Sequence, residues 1–135
     1  MKDQVLSVQQ MLHLQLLGID ISNASMAYQK NIGNNEYKQL LIASDEIRRL
    51  YADGKYPSCM PTFTLNDMIV IMPEKLEYHG RIGYLSIQHY LIEYRAFKEF
   101  DSVCMIGKCY PNVMKNAYSM LVWLAENNYL NKSRR

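Results

Sequence analysis

Apolar side chains recur at helical spacing through residues 4–17, where Val5, Val8, Met11, Leu12 and Leu16 share a stripe with Gln15. Leu6, Leu14 and Leu17 widen that stripe, so the pattern predicts an amphipathic helix that touches two neighbours or a second copy of the chain. Asp3 precedes it and Gly18 follows as a left-handed stop. Asp, Ser and Asn then dominate up to Ser25 and read as a turn, and Met26, Ala27 and Tyr28 follow as a short strand. Ile32 to Asn35 has hairpin composition, which calls for strands on both sides, the second within Tyr37 to Ala43. Ser44, Asp45 and Glu46 supply a cap and first-turn negative charge for a short helix over 45–52, with Gly54 as its stop. Pro57 and Pro61 bracket a segment that reads as a loop, because proline cannot donate to a backbone ladder.

Thr64 followed by Asp67 is a capping-box variant, Leu65, Met68, Ile69 and Met72 share the face of the helix behind it, and Pro73 ends it. From Lys75 to Met105 the period changes to that of a strand meander. Leu76 and Tyr78 lead into a turn at His79, Gly80 and Arg81, Ile82, Tyr84 and Ser86 alternate with Leu85 and Ile87, and Leu91 to Phe97 is a further strand. Asp101 to Met105 adds an edge strand. Pro111 and Asn112 open a last helix with Val113, Met114, Ala117, Met120, Leu121 and Leu124 inward, closing near Asn127 and Asn128. Helices that do not alternate strictly with strands predict an α+β fold: a small antiparallel sheet of about 4–5 strands with helices packed on it. The expected organisation is one domain over 1–135, with 131–135 as a frayed tail.

The chain has 135 residues, 49% hydrophobic and 21% charged, which excludes a disordered or solvated-tail protein. A formal net charge of +2 is too small for the concentrated positive field of a general nucleic-acid packer. Apolar runs such as Met68 to Met72 fall far short of the about 20 residues a membrane helix needs, so no membrane association is expected. The N-terminal MKDQVLSVQQ has no secretory pattern and the cysteines number three, Cys59, Cys104 and Cys109, so the expected location is the reducing cytoplasm with free thiols.

Candidate chemistry is sparse. Cys104 and Cys109 lack the short knuckle spacing of a zinc site, and Cys59, His79 or His89 would complete a ligand set only if the fold gathered them. His13, His79 and His89 stand in no nucleophile–base signature, and the six glycines are too scattered for a phosphate loop. No catalytic residue, metal or cofactor is therefore assigned. Asp20, Ser22, Asn23 and Ser25 form a cluster that would converge on a polar small molecule or nucleotide, or else satisfy its own backbone in Asx and Ser turns. Eleven tyrosines exceed the needs of one small core, and tyrosine pairs large rigid contact area with a polar tip. Tyr84, Tyr90 and Tyr94 in the meander and Trp123 on the last helix are the candidate interface residues.

Three segments, LGIDISNASM at 17–26, MPTFTLNDMIVIMP at 60–73 and YPNVMKNAYSMLVWLAENNYL at 110–130, together resemble a family of small proteins carried by phages and mobile elements of gut bacteria. The resemblance spans most of the chain and implies an origin rather than an activity, because that family brings no established chemistry to any position here. The expected role is a non-enzymatic accessory protein that binds another protein or itself. The alternative is a small-molecule or nucleotide binder using the 20–25 loop.

Overall fold

The computed structural model describes residues 4–30, 37–42, 59–99 and 101–130. The expected turn at 32–35, the helix at 45–52 and the tail at 131–135 lie outside the described residues. Those described form an α+β arrangement with helices α1 (Val8–Leu16), α2 (Leu65–Ile71) and α3 (Val113–Glu126). The strands are β1 (Met26–Lys30), β2 (Tyr37–Ile42), β3 (Cys59–Thr62), β4 (Lys75–Tyr78), β5 (Arg81–Gln88), β6 (Leu91–Lys98) and β7 (Asp101–Lys108). All pairings between strands are antiparallel, in a three-stranded sheet of order β2-β1-β3 and a four-stranded sheet of order β4-β5-β6-β7. Contacts group the chain into two units whose boundary falls between Asp67 and Met68.

In the first unit, α1 starts later than its apolar pattern predicts. Ser7 is the N-cap, its hydroxyl accepting from Gln10 N while the Gln10 side chain accepts from Ser7 N, a closed capping box. Val5 and Leu6 cannot join that helix because their backbone is committed elsewhere: Val5 bridges Thr64 and Leu6 N donates to Phe63 O at 3.1 Å. The carbonyl of Leu6 also accepts from Thr62 Oγ1 and from Tyr28 Oη. Gly18, at φ 92°, supplies the expected left-handed stop. The inward face is Met11 and Leu14, whereas Leu12 and Leu16 of the expected stripe are 44% and 86% exposed.

The segment read as a loop around Pro61 is strand β3, with Pro61 opposite Ala27. The prediction fails because β3 closes an edge of its sheet, where a residue without an N–H is tolerated. Asp67 ties this unit together. Its carboxylate accepts from Thr64 N at the start of α2 and from both Ser25 N and Ser25 Oγ, 42 residues away in sequence, while Thr64 Oγ1 accepts from Asp67 N.

In the second unit the meander continues through β7, which runs to Lys108 rather than ending at Met105. His79 and Gly80 form the two-residue β4–β5 turn with φ of 52° and 76°, the paired positive values that match the right-handed twist of a hairpin. Helix α3 is capped by Asn112, whose side chain accepts from Met114 N and Lys115 N, and it lies against β6 and β7. Its Met114, Ala117, Met120, Leu121, Leu124 and Ala125 are buried, as are Ile92, Tyr94 and Ala96 of β6. Gly83 lies on that same side of the sheet, since a Cβ there would stand 2.8 Å from Met105 Sδ and 3.2 Å from Tyr94 Cβ. Buried Asn116 is satisfied by Tyr110, accepting from its N–H and donating to its carbonyl.

Candidate functional site

Side chains alternate across a strand, so the register of the four-stranded sheet sorts its residues onto two faces. Ile92, Tyr94 and Ala96 of β6 pack beneath α3, which leaves Leu91, Glu93, Arg95 and Phe97 on the opposite face. Residues directly opposite share a face, so Tyr84 joins Arg95, Ser86 joins Glu93 and Gln88 joins Leu91 from β5, with Lys75 joining Tyr84 from β4. From β7, Ser102, Cys104 and Gly107 stand beside Phe97, Arg95 and Glu93. Helix α3 does not cover this open face.

Three large side chains stand out from it: Ile82, Tyr84 and Phe97, exposed by 51%, 46% and 64%. The Tyr84 and Phe97 rings lie side by side, 6.3 Å between centroids and tilted by 48°. Held on a hydrogen-bonded sheet, they form a short apolar ridge with little conformational entropy left to lose on contact.

Beside the ridge, on the same face, Glu93 and Arg95 form a charged pair. Glu93 is fully buried, and its Oε1 lies 3.1 Å from Arg95 Nη2, while Arg95 Nη1 donates to Ser102 Oγ at 2.9 Å. Neither Glu93 oxygen accepts a hydrogen bond of regular geometry, so the guanidinium charge is its main compensation. Gly107 makes room for this arrangement: a Cβ there would meet Cys104 Sγ at 3.0 Å and Leu91 Cδ1 at 3.2 Å. Burial pushes the Cys104 thiol up, the adjoining Glu93 carboxylate adds to the rise by holding the proton and repelling a thiolate, and Arg95 opposes them. Cys104 is therefore a poor nucleophile at neutral pH.

The expected interface residues divide by face. Tyr84 lies on the open face and is exposed, and Tyr90 is 57% exposed at the β5–β6 turn, edge-on to His89. Tyr94 is a correction. It is fully buried under α3 with its hydroxyl donating to Pro73 O, because even positions of β6 point inward, and burial pushes its phenol up. Trp123 is half-buried and stacks on Tyr129 at 5.4 Å, with Tyr78 edge-on at 5.5 Å, so its ring is held within this unit.

The 20–25 loop uses its polar groups on the chain itself. Asp20 Oδ1 accepts from both Ser22 N and Ser22 Oγ, an Asx turn, and Ser25 is committed to Asp67, while Asn23 is exposed. Among the described residues, no group of three or more His, Cys, Asp or Glu is placed to hold a metal ion. Cys104 lies within extended β7 and Cys109 just past its end, about 16 Å apart along the strand, far beyond disulfide reach. His79 and His89 are exposed at hairpin turns, each edge-on to its neighbouring tyrosine.

By residue type Arg95 and Phe97 read as part of a basic–aromatic run with Tyr94 and Lys98, flanked by Glu93 and Glu99; the parity of Leu91 to Lys98 is what separates that run and puts Glu93, Arg95 and Phe97 on one face. No helix among the described residues is long and apolar enough to cross a membrane. Comparison of the chain with protein-family models, with curated proteins and with solved structures gives no match in any of the three.

Proposed function

We propose that this chain is a non-enzymatic accessory protein that binds another protein through the open face of its four-stranded sheet. The observation that carries the reading is the ridge of Ile82, Tyr84 and Phe97, three large exposed apolar side chains side by side on a rigid surface. Aromatic residues on a preorganised surface are the usual source of binding energy at protein interfaces, because they bury large area at small entropic cost. The charges around the ridge are mixed, with Lys75 and Glu77 exposed on β4 and Arg95 neutralised by Glu93, so the face favours an apolar protein surface over a polyanion. An origin among phage or mobile-element proteins belongs to the same proposal and rests on the three segments quoted above.

The test is quantitative affinity capture from the native host, comparing the wild-type chain with Tyr84→Ser/Phe97→Ser. Both positions are exposed, so the variant keeps its fold by circular dichroism. The reading predicts one protein recovered near stoichiometry with the wild type and lost with the variant; equal recovery by both would refute it.

A further inference from the structure

Strand β7 is the outer strand of the four-stranded sheet, and at eight residues it is twice as long as β4 on the other edge. A strand edge presents unpaired N–H and C=O groups that can template pairing with another chain, and charges, prolines, bulges and short strands are the devices that blunt it. On β7 the charges stand only at the two ends, Asp101 and Lys108, with Ser, Val, Cys, Met, Ile and Gly between them. We propose that this edge pairs antiparallel with the same edge of a second copy, extending the sheet to eight strands.

The self-complementarity comes from the bulge. Arg95 pairs with Cys104 but its neighbour Tyr94 pairs with Ile106, so Met105 is the extra residue. Met105 Sδ lies against the Gly83 side of the sheet, the α3 side, and Ile106 shares that side with its pair Tyr94. From Asp101 to Lys108 the side chains therefore run α3 side, open, α3 side, open, α3 side, α3 side, open, α3 side. Two antiparallel copies of one strand are related by a two-fold axis perpendicular to the sheet, which keeps each face on its own side. With Asp101 set opposite Lys108 of the second copy, Ser102 meets Gly107 and Val103 meets Ile106, each pair on a common face, while at the axis the two bulges meet, Cys104 and Met105 stand on opposite faces and the ladder is interrupted. Without the bulge, Asp101 and Lys108 would point to opposite faces and could not meet. With it, the two-fold axis generates two opposite-charge pairs, one at each end of an uncharged centre.

Sedimentation velocity of the intact chain reads this directly. The expected result is a concentration-dependent dimer of twice the 15.8 kDa chain mass, in the micromolar range because strand addition buries little side-chain area. Lys108→Glu puts carboxylates opposite each other at both ends and weakens the dimer about tenfold, and Asp101→Lys/Lys108→Glu restores it to within about threefold. In this register the two Cys104 residues are diagonal neighbours on the open face, about 6 Å apart, so a short thiol-directed crosslinker at alkaline pH joins Cys104 to Cys104. A chain that stays monomeric at about 100 µM overturns the proposal. So does a dimer that is indifferent to Lys108→Glu, or one crosslinked only through Cys109. A monomer whose partner capture still depends on Phe97 sinks the edge pairing and spares the recognition face; a charge-dependent dimer that captures nothing does the reverse.

Discussion

Replacing Arg95 with alanine removes the main compensation of a buried carboxylate. Glu93 is 0% exposed and its ion pair with Arg95 spans 3.1 Å. Deleting one member of a buried pair costs about 3–5 kcal/mol, because the remaining charge is stranded in a low-dielectric setting. Arg95 keeps 29% of its side chain in contact with water, which screens part of the attraction and places the expected loss near 3 kcal/mol, the bond to Ser102 included. That is a large share of the about 5–15 kcal/mol that holds a typical domain folded. Replacing both partners with methionine should be nearly neutral, since desolvation of the two charges offsets their attraction. Urea unfolding followed by Trp123 fluorescence measures each variant, because Trp123 is stacked on Tyr129 in the same unit. The double-mutant cycle then isolates the coupling. A loss below about 1 kcal/mol for Arg95→Ala, or a double methionine variant as unstable as the single, would refute the reasoning.

Alkaline pH offers an independent check on the core. Burial raises the phenols of Tyr94, Tyr28 and Tyr118, so above their ordinary value of 10.0 the unfolded chain releases protons that the folded chain retains, and stability falls as pH rises from there. Tyr94→Phe removes the bond to Pro73 O, costs about 1 kcal/mol at pH 7, and makes the alkaline fall shallower in urea titrations. Asp67→Ala strips acceptors from Ser25 N, Ser25 Oγ and Thr64 N and lowers stability by about 3 kcal/mol by thermal unfolding; a loss within measurement error would show that the tie is not formed. Gly83→Ala brings a methyl group against the flexible end of Met105 and to 3.2 Å from Tyr94 Cβ and costs about 1 kcal/mol, and adding Met105→Ala recovers part of it; no recovery would mean that the strain lies elsewhere.

Local hydrogen-bonding signals were legible in the sequence because they act over three or four residues. Thr64 and Asp67, Asn112, Gly18 and the turn at Gly80 each do what their chemistry predicts. Long-range pairing was not. The Val5–Leu6 segment looks helical by spacing, but the carbonyl of Phe63 and the side chain of Thr62 claim its backbone, and both are more than fifty residues away. Pro61 reads as a ladder breaker until its strand is known to lie on an edge. The candidate interface failed at Tyr94 for a related reason. Residue type marks tyrosines alike, whereas strand parity sends Tyr84 to one face and Tyr94 to the other, and only the position of α3 tells which face is buried. The same parity puts Phe97 on the face that α3 leaves uncovered, so the basic–aromatic run of Tyr94, Arg95, Phe97 and Lys98 is split between the two sides of the sheet.

The most direct test of the recognition face is site-specific photocrosslinking in the native host, with a benzophenone side chain placed at position 97 or at position 16. Leu16 is the control because it is 86% exposed on α1, the helix whose broad stripe first pointed to a partner. The account predicts a discrete adduct with another protein from position 97 and none from position 16. An adduct from position 16 with none from position 97 would contradict it and move recognition to α1.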